Sequence, residues 1–132
     1  MIPILTPEQM AAVDAAAPEP VEELIARAGR AVAREAMSML GGSYGRVVNV
    51  IAGRGNNGAD GRTAADIIAR RGVKVRVIDA AMCPPILPAC DLVIDAAYGT
   101  GFRGEWLAPQ VVSTSSEPVM VLAVDIPSGV DA

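Results

Sequence analysis

Val47-Val48-Asn49-Val50-Ile51-Ala52-Gly53-Arg54-Gly55-Asn56-Asn57-Gly58-Ala59-Asp60-Gly61 sets a β-branched run directly against a glycine-rich turn. Val47 to Ile51, with Gly45 before it and glycines after it, reads as a strand buried on both faces, as strands of parallel sheets are. Asp60 to Arg71 then reads as a helix closed by Gly72, and Val73 to Ile78 as the next strand. Strand, turn, helix and strand in that order make a right-handed βαβ crossover, which requires the two strands to run parallel.

The pattern extends both ways. Upstream, Thr6-Pro7-Glu8-Gln9 has a capping threonine, proline at the first helical position and glutamine at the third. This predicts a short helix over Thr6 to Ala17, interrupted by Pro18 and Pro20. A longer helix follows, with Val21, Leu24, Ile25, Ala28, Val32, Ala36, Met39 and Leu40 at helical spacing, ended by Gly41-Gly42. Downstream, Ala80 to Ala89 holds three prolines and reads as a loop, and Leu92 to Asp95 as a third strand. A glycine-rich turn, a short helix over Trp106 to Ser115 and a fourth strand over Val119 to Ile126 complete the order. The fold class is therefore α/β: a three-layer αβα, Rossmann-like domain with a mostly parallel sheet and helices on both faces.

The 132 residues suit a single domain, with no internal repeat, low-complexity tract or linker. Asp131-Ala132 comes directly after a strand, where such a sheet would cross over once more, so an incomplete domain is expected. With 52% hydrophobic residues the chain is no disordered tail. Its apolar runs fall far short of the ~20 residues of a membrane helix, and the N-terminus has no secretory pattern. A soluble cytoplasmic protein is expected, with no membrane partner.

Eleven basic against fifteen acidic residues give a net charge of −4, which suits nucleic acid poorly. The charge is uneven: residues 1–76 carry a net +2 and residues 77–132 a net −6. There is no histidine, so Ser-His-Asp and Cys-His catalysis are excluded and acid–base work falls to Asp, Glu, Lys, Tyr or Cys. Cys83 and Cys90 are too few for a zinc site and read as buried small hydrophobes. The single lysine, Lys74, opens a strand and reads as a solvated charge.

Ligands of open α/β sheets bind beyond the carboxyl ends of the strands. Three segments fall there: residues 53–61, Asp95-Ala96-Ala97-Tyr98-Gly99-Thr100-Gly101, and Asp125-Ile126-Pro127-Ser128-Gly129. Gly53, Gly55 and Gly58 fit the dinucleotide fingerprint, and Asp79 stands where a ribose-binding acid would. Against a pyrophosphate there, Asn56-Asn57 and the anionic Asp60 crowd the turn. A turn that merely fits strand to helix explains the glycines but not the adjacent asparagines. No Gly-Lys-Ser/Thr follows, which excludes a P-loop. Asp95, Asp125 and Ser128, with Asn57 opposite, are either caps or a set of carboxylate, hydroxyl and amide oxygens suited to a hard cation.

Gly-Arg-Gly-Asn-Asn-Gly-Ala-Asp-Gly (53–61), Val-Ile-Asp-Ala-Ala-Tyr-Gly-Thr-Gly-Phe-Arg-Gly-Glu (93–105) and Val-Asp-Ile-Pro-Ser-Gly-Val-Asp (124–131) resemble the motifs of the NAD(P)H-hydrate epimerase family, the YjeF N-terminal domain. So do Thr6 to Met10 with Asp14, and Glu23 to Gly29. The chain departs from the family at Ala59, where a second glycine is usual, and in ending soon after the Asp-Ile-Pro-Ser-Gly motif. The resemblance makes residues 1–132 one incomplete YjeF N-terminal-like domain. It implies an isomerase that interconverts the R and S epimers of C6-hydrated NADH and NADPH. It places substrate against Asn56, Asn57, Gly58, Ala59, Asp60 and Asp125, and along Gly99, Thr100, Gly101, Phe102, Arg103, Gly104 and Glu105. Asp125 is the expected catalytic carboxylate, with Asp60 second. A potassium ion would be held by Asn57, Asp95 and Ser128. A homodimer and a fused or separate NAD(P)HX dehydratase are implied partners. Two other readings stay open: a non-catalytic nucleotide- or protein-binding scaffold, and a Rossmann NAD-dependent oxidoreductase relying on Asp79.

Overall fold

The computed structural model describes residues 21–98 and 108–124. The helix expected over Thr6 to Ala17, the turn at Gly99 to Gly101 and the end of the fourth strand lie outside them. Helix α1 (Val21–Leu40) leads to strand β1 (Val47–Ala52), helix α2 (Asn56–Arg70) and strand β2 (Lys74–Asp79). A 3₁₀ turn (Ala80–Met82), strand β3 (Leu92–Ala96) and strand β4 (Met120–Ala123) follow. Among the described residues the strands are all parallel, in the order β2-β1-β3-β4, with Val50 level with Val77 on one side and Ile94 on the other. This is the Rossmann-like α/β arrangement expected.

Alternation along the strands sorts the core into two layers. Val48, Val50 and Ala52 of β1, with Leu92, Ile94 and Ala96 of β3, pack on one face against Ala33, Ala36 and Leu40 of α1 and Ala64, Ala65 and Ile68 of α2. Ile51 and Val93 face the other way, into a smaller cluster with Ala80, Leu87, Cys90 and Ala97. Both described α-helices thus cover one face. Among the described residues the other face is covered by the 3₁₀ turn and the proline-rich crossover.

That crossover is anchored by Asn49, a fully buried polar residue. Its Nδ2 donates to the Pro88 carbonyl at 2.8 Å, and its Oδ1 accepts from Arg76 Nη1 at 3.2 Å. The same Arg76 nitrogen reaches the Ala89 carbonyl at 3.2 Å. Replacing Asn49 with alanine leaves these partners unmet, and an equilibrium urea titration should show a loss of about 2 kcal/mol. A loss within ~0.5 kcal/mol, typical of an ordinary surface site, would show that the crossover is held by apolar packing alone. Asp91 pins the opposite edge, accepting from the Val47 amide at 2.8 Å and the Thr114 hydroxyl at 2.5 Å. The Thr114 bond, working against partial burial and helped by the Val47 amide and Arg46, holds its carboxyl below the usual carboxylate range.

Two elements differ from expectation. Helix α2 begins at Asn56 rather than Asp60, with Gly55 as its N-cap (φ −82°, ψ −166°). Asparagines suggest a turn, but first-turn amides need no partner inside the helix, so Asn56-Asn57 costs little there. The helix expected over Trp106 to Ser115 is absent from its described part. Gln110 and Ser113 instead make parallel bridges to Ile86 and Cys90, with Cys90 N donating to Val112 O at 2.9 Å. Pro109 lacks an N–H, and Val111 to Thr114 are poor helix formers, so the segment pairs with the crossover instead. Lys74 opens β2, exposed, as expected. Among the described residues no helix is long and apolar enough to cross a membrane.

Candidate functional site

From β1 the chain crosses to β2 on one side, then returns to β3 on the other, so the carboxyl ends of β1 and β3 flank a topological switch point. The glycine turn closes onto that point. Gly53 N donates to Ala96 O at 2.9 Å, and a Cβ on Gly53 would lie 1.9 Å from Ala97 O. A Cβ on Gly58 would lie 1.8 Å from Gly53 O. Backbone therefore packs on backbone twice, from β3 to the turn and from the turn to the first turn of α2. A Cβ on Gly55 would meet nothing within 4 Å.

Asn57, half-buried, donates from Nδ2 to Val124 O at 3.3 Å. This bond spans β3 and ties the start of α2 to the end of β4, one residue before Asp125. Asp95 lies between them on β3 and accepts from the Ala97 amide at 3.2 Å. Asn56 is exposed, Gly58 buried, and Ala59 and Asp60 half-buried. Burial pushes the Asp60 carboxyl above its ordinary pKa. The structure thus gathers Asn56 to Asp60 and Asp95 with the end of β4. Residues 99 to 105, Asp125 and Ser128 lie outside the described residues.

Arg62 joins this edge without having been expected there. Its Nη1 donates to Gly53 O at 2.7 Å and its Nη2 reaches Ala52 O at 3.5 Å. Its position one turn beyond Gly58 on the same helix is the signal that could have found it. Asp79 ends β2, where a ribose-binding acid would stand, but its Oδ1 accepts from Ala81 N at 2.9 Å and caps the 3₁₀ turn. Cys90 is buried and Cys83 half-buried, both free. Burial raises both thiols, with the nearby Asp95 charge adding to the effect at Cys83. Among the described residues no three His, Cys, Asp or Glu side chains group to hold a metal, so a cation here would need amide and hydroxyl oxygens as well.

Switch point, glycine–asparagine turn and the aspartates at the ends of β2 and β3 define the class: a Rossmann-like domain whose candidate site is the carboxyl edge of a parallel sheet. The family model described as YjeF-related protein N-terminus matches residues 21–86 and 79–132, and the chain belongs to that family. It is 33% identical to the bifunctional NAD(P)H-hydrate repair enzyme Nnr of Hyperthermus butylicus, across 83% of this chain and 26% of that protein. It is 34% identical to the NAD(P)H-hydrate epimerase of Rhodobacter capsulatus, across 63% of this chain and 52% of that protein. With the epimerase of Rhodopirellula baltica the identity is 33%, across 66% of this chain and 38% of the relative. The chain thus spans about a quarter of the bifunctional relative and about half or less of the two epimerases. The two matched stretches overlap at residues 79–86, in the β2–β3 crossover, which here contains only a 3₁₀ turn and a proline-rich loop.

Proposed function

We propose that this chain acts as an NAD(P)H-hydrate epimerase, interconverting the R and S forms of NADHX and NADPHX for nicotinamide cofactor repair. The Asn57–Val124 bond carries the reading, because it joins the asparagine turn to the strand end that runs into Asp125-Ile126-Pro127-Ser128-Gly129. Family membership and the names of the relatives support it. Epimerisation at C6 requires hydroxide to leave and return through an iminium cation in which the ring nitrogen shares the charge with C6. A carboxylate beside that ring stabilises the cation and shuttles the proton that the leaving hydroxyl needs. Asp125 is assigned this role and Asp60 is the alternative. Asn56 and the amides of residues 99–101 orient phosphate or ribose, with residues 102–105 completing the substrate wall.

A potassium ion fits the donors. Asn57 spends its amide nitrogen on Val124, leaving Oδ1 for a cation, and Asp95 stands on the adjoining strand. Asn57, Asp95 and Ser128 would hold the ion, whose charge would fix the loops and offset substrate phosphates. The proposal also takes the protein as cytoplasmic and homodimeric, working beside a fused or separate NAD(P)HX dehydratase. The oxidoreductase alternative is weakened by the use of Asp79 as a cap.

The test is chromatographic. One purified epimer of NADPHX or NADHX is incubated with the protein in potassium buffer and, in parallel, in tetramethylammonium buffer. Appearance of the other epimer faster than in protein-free buffer, and faster with potassium, is the expected result. No acceleration by folded protein would leave a binding scaffold as the better reading.

A further inference from the structure

We propose that Arg54 and Arg62 select a phosphate monoester on the adenosine ribose of the substrate, so that the site prefers NADPHX to NADHX. The inference rests on the epimerase reading for the identity of the substrate, and on the carboxyl edge for its placement. The reactive ring is assigned to the end of β4, through Asp125. In the order β2-β1-β3-β4, a dinucleotide laid along the edge from β4 passes over β3 and β1 toward β2. Strands lie ~4.8 Å apart, so β1 and β2 stand roughly 10 and 14 Å from β4. That distance suits the far ribose of a pyrophosphate-bridged pair.

Two arginines stand at that end. Arg62 is pinned by its bonds to Gly53 O and Ala52 O, yet a guanidinium has five N–H donors and these bonds use only two nitrogens. Arg54 follows Gly53 in the turn and is exposed. A pre-positioned guanidinium with an exposed arginine on the adjoining turn suits a phosphate, which takes paired N–H donors. The short β2–β3 crossover puts no α-helix beside them among the described residues. Three described carboxylates stand along the edge: Asp95 on β3, and Asp60 and Asp79 nearer the arginines. Asp79 is engaged with the Ala81 amide, and burial disfavours the charged form of Asp60. Arg54 and Arg62 are therefore the groups at the β1–β2 end able to receive an additional anion.

Calorimetry with 2′-phospho-ADP-ribose and ADP-ribose tests this without requiring turnover. The 2′-phosphorylated ligand should bind about tenfold tighter, as a charge-assisted contact implies, and the gap should narrow as salt rises. Arg54→Ala should remove most of the gap and Arg54→Lys should restore part of it, with thermal melts confirming a folded chain. The ratio of NADPHX to NADHX epimerisation should fall in parallel. Equal affinity for the two ligands, binding of neither, or a gap untouched by Arg54→Ala would overturn the inference. Tighter binding of the phosphorylated ligand without epimerisation of either hydrate would sustain the phosphate site while sinking the epimerase reading.

Discussion

Replacing Gly58 with alanine is expected to destabilise the chain by about 3 kcal/mol, at the upper end of ordinary overpacking penalties. The added Cβ would lie 1.8 Å from the oxygen, 2.6 Å from the carbon and 2.9 Å from the nitrogen of Gly53. All three are backbone atoms, so no side chain can rotate out of the way. Gly53 cannot retreat either, because its N–H is bonded to Ala96 O and its carbonyl to Arg62. Helix α2 must therefore lift from β1, which strains the Asn57–Val124 tie at the same time. Gly55→Ala is the matched control. Its Cβ meets nothing within 4 Å and its φ of −82° suits any residue, so only the poorer capping by alanine counts and stability should fall by no more than about 1 kcal/mol. Urea unfolding of both variants decides the matter, and a Gly58→Ala protein as stable as wild type would refute the close approach. The pair also separates two meanings of the glycine pattern. A dinucleotide fingerprint needs its middle glycine so that pyrophosphate can approach the backbone. A Gly55→Ala chain that folds normally but no longer binds nucleotide would favour the oxidoreductase alternative.

The same turn marks how far the sequence could be read. Val47 to Ile51 showed its strand through β-branching between glycines, and the stripe from Val21 to Leu40 showed its helix through period alone. Both signals are local, and both elements stand where expected. Asn56-Asn57 hid the start of α2, because asparagine favours turns in isolation and its tertiary bond to Val124 is 67 residues away. Residues 108–115 were misread for a related reason. Whether a weakly periodic stretch coils or extends depends on a pairing edge, here supplied by Ile86 and Cys90. Asn49 carried no signal of its own within the apolar run of β1, and is the buried anchor of the crossover. Arg62 carried no motif at all; its role depends on the carbonyls it meets across the turn. For the site, the sequence supplied the residue types and the sheet rule supplied their common edge. The bonds that tie Asn57 and Arg62 into that edge arise only when the turn, β1 and β4 meet in the fold.

Asp125→Asn is expected to slow epimer interconversion roughly a thousandfold, within the range ascribed to a positioned acid–base group. The substitution keeps size and hydrogen-bonding capacity but removes the negative charge, and that charge is what a cationic intermediate at the nicotinamide ring requires. The chain contains no histidine, so no imidazole can take over the proton. Water could carry the proton in the variant, but it cannot replace the fixed charge. Asp60→Asn is the informative comparison. Burial raises the Asp60 carboxyl pKa, which would suit a proton carrier. If Asp125 is the working carboxylate, Asp60→Asn should lower the rate by no more than about tenfold, through lost positioning. The reverse ranking would transfer the role to Asp60. Calorimetric binding of ADP-ribose should survive in both variants, which separates lost chemistry from lost binding. If both variants epimerise at the wild-type rate, carboxylate-assisted loss of hydroxide is wrong for this site, and turnover must rest on binding the flattened ring against backbone dipoles alone.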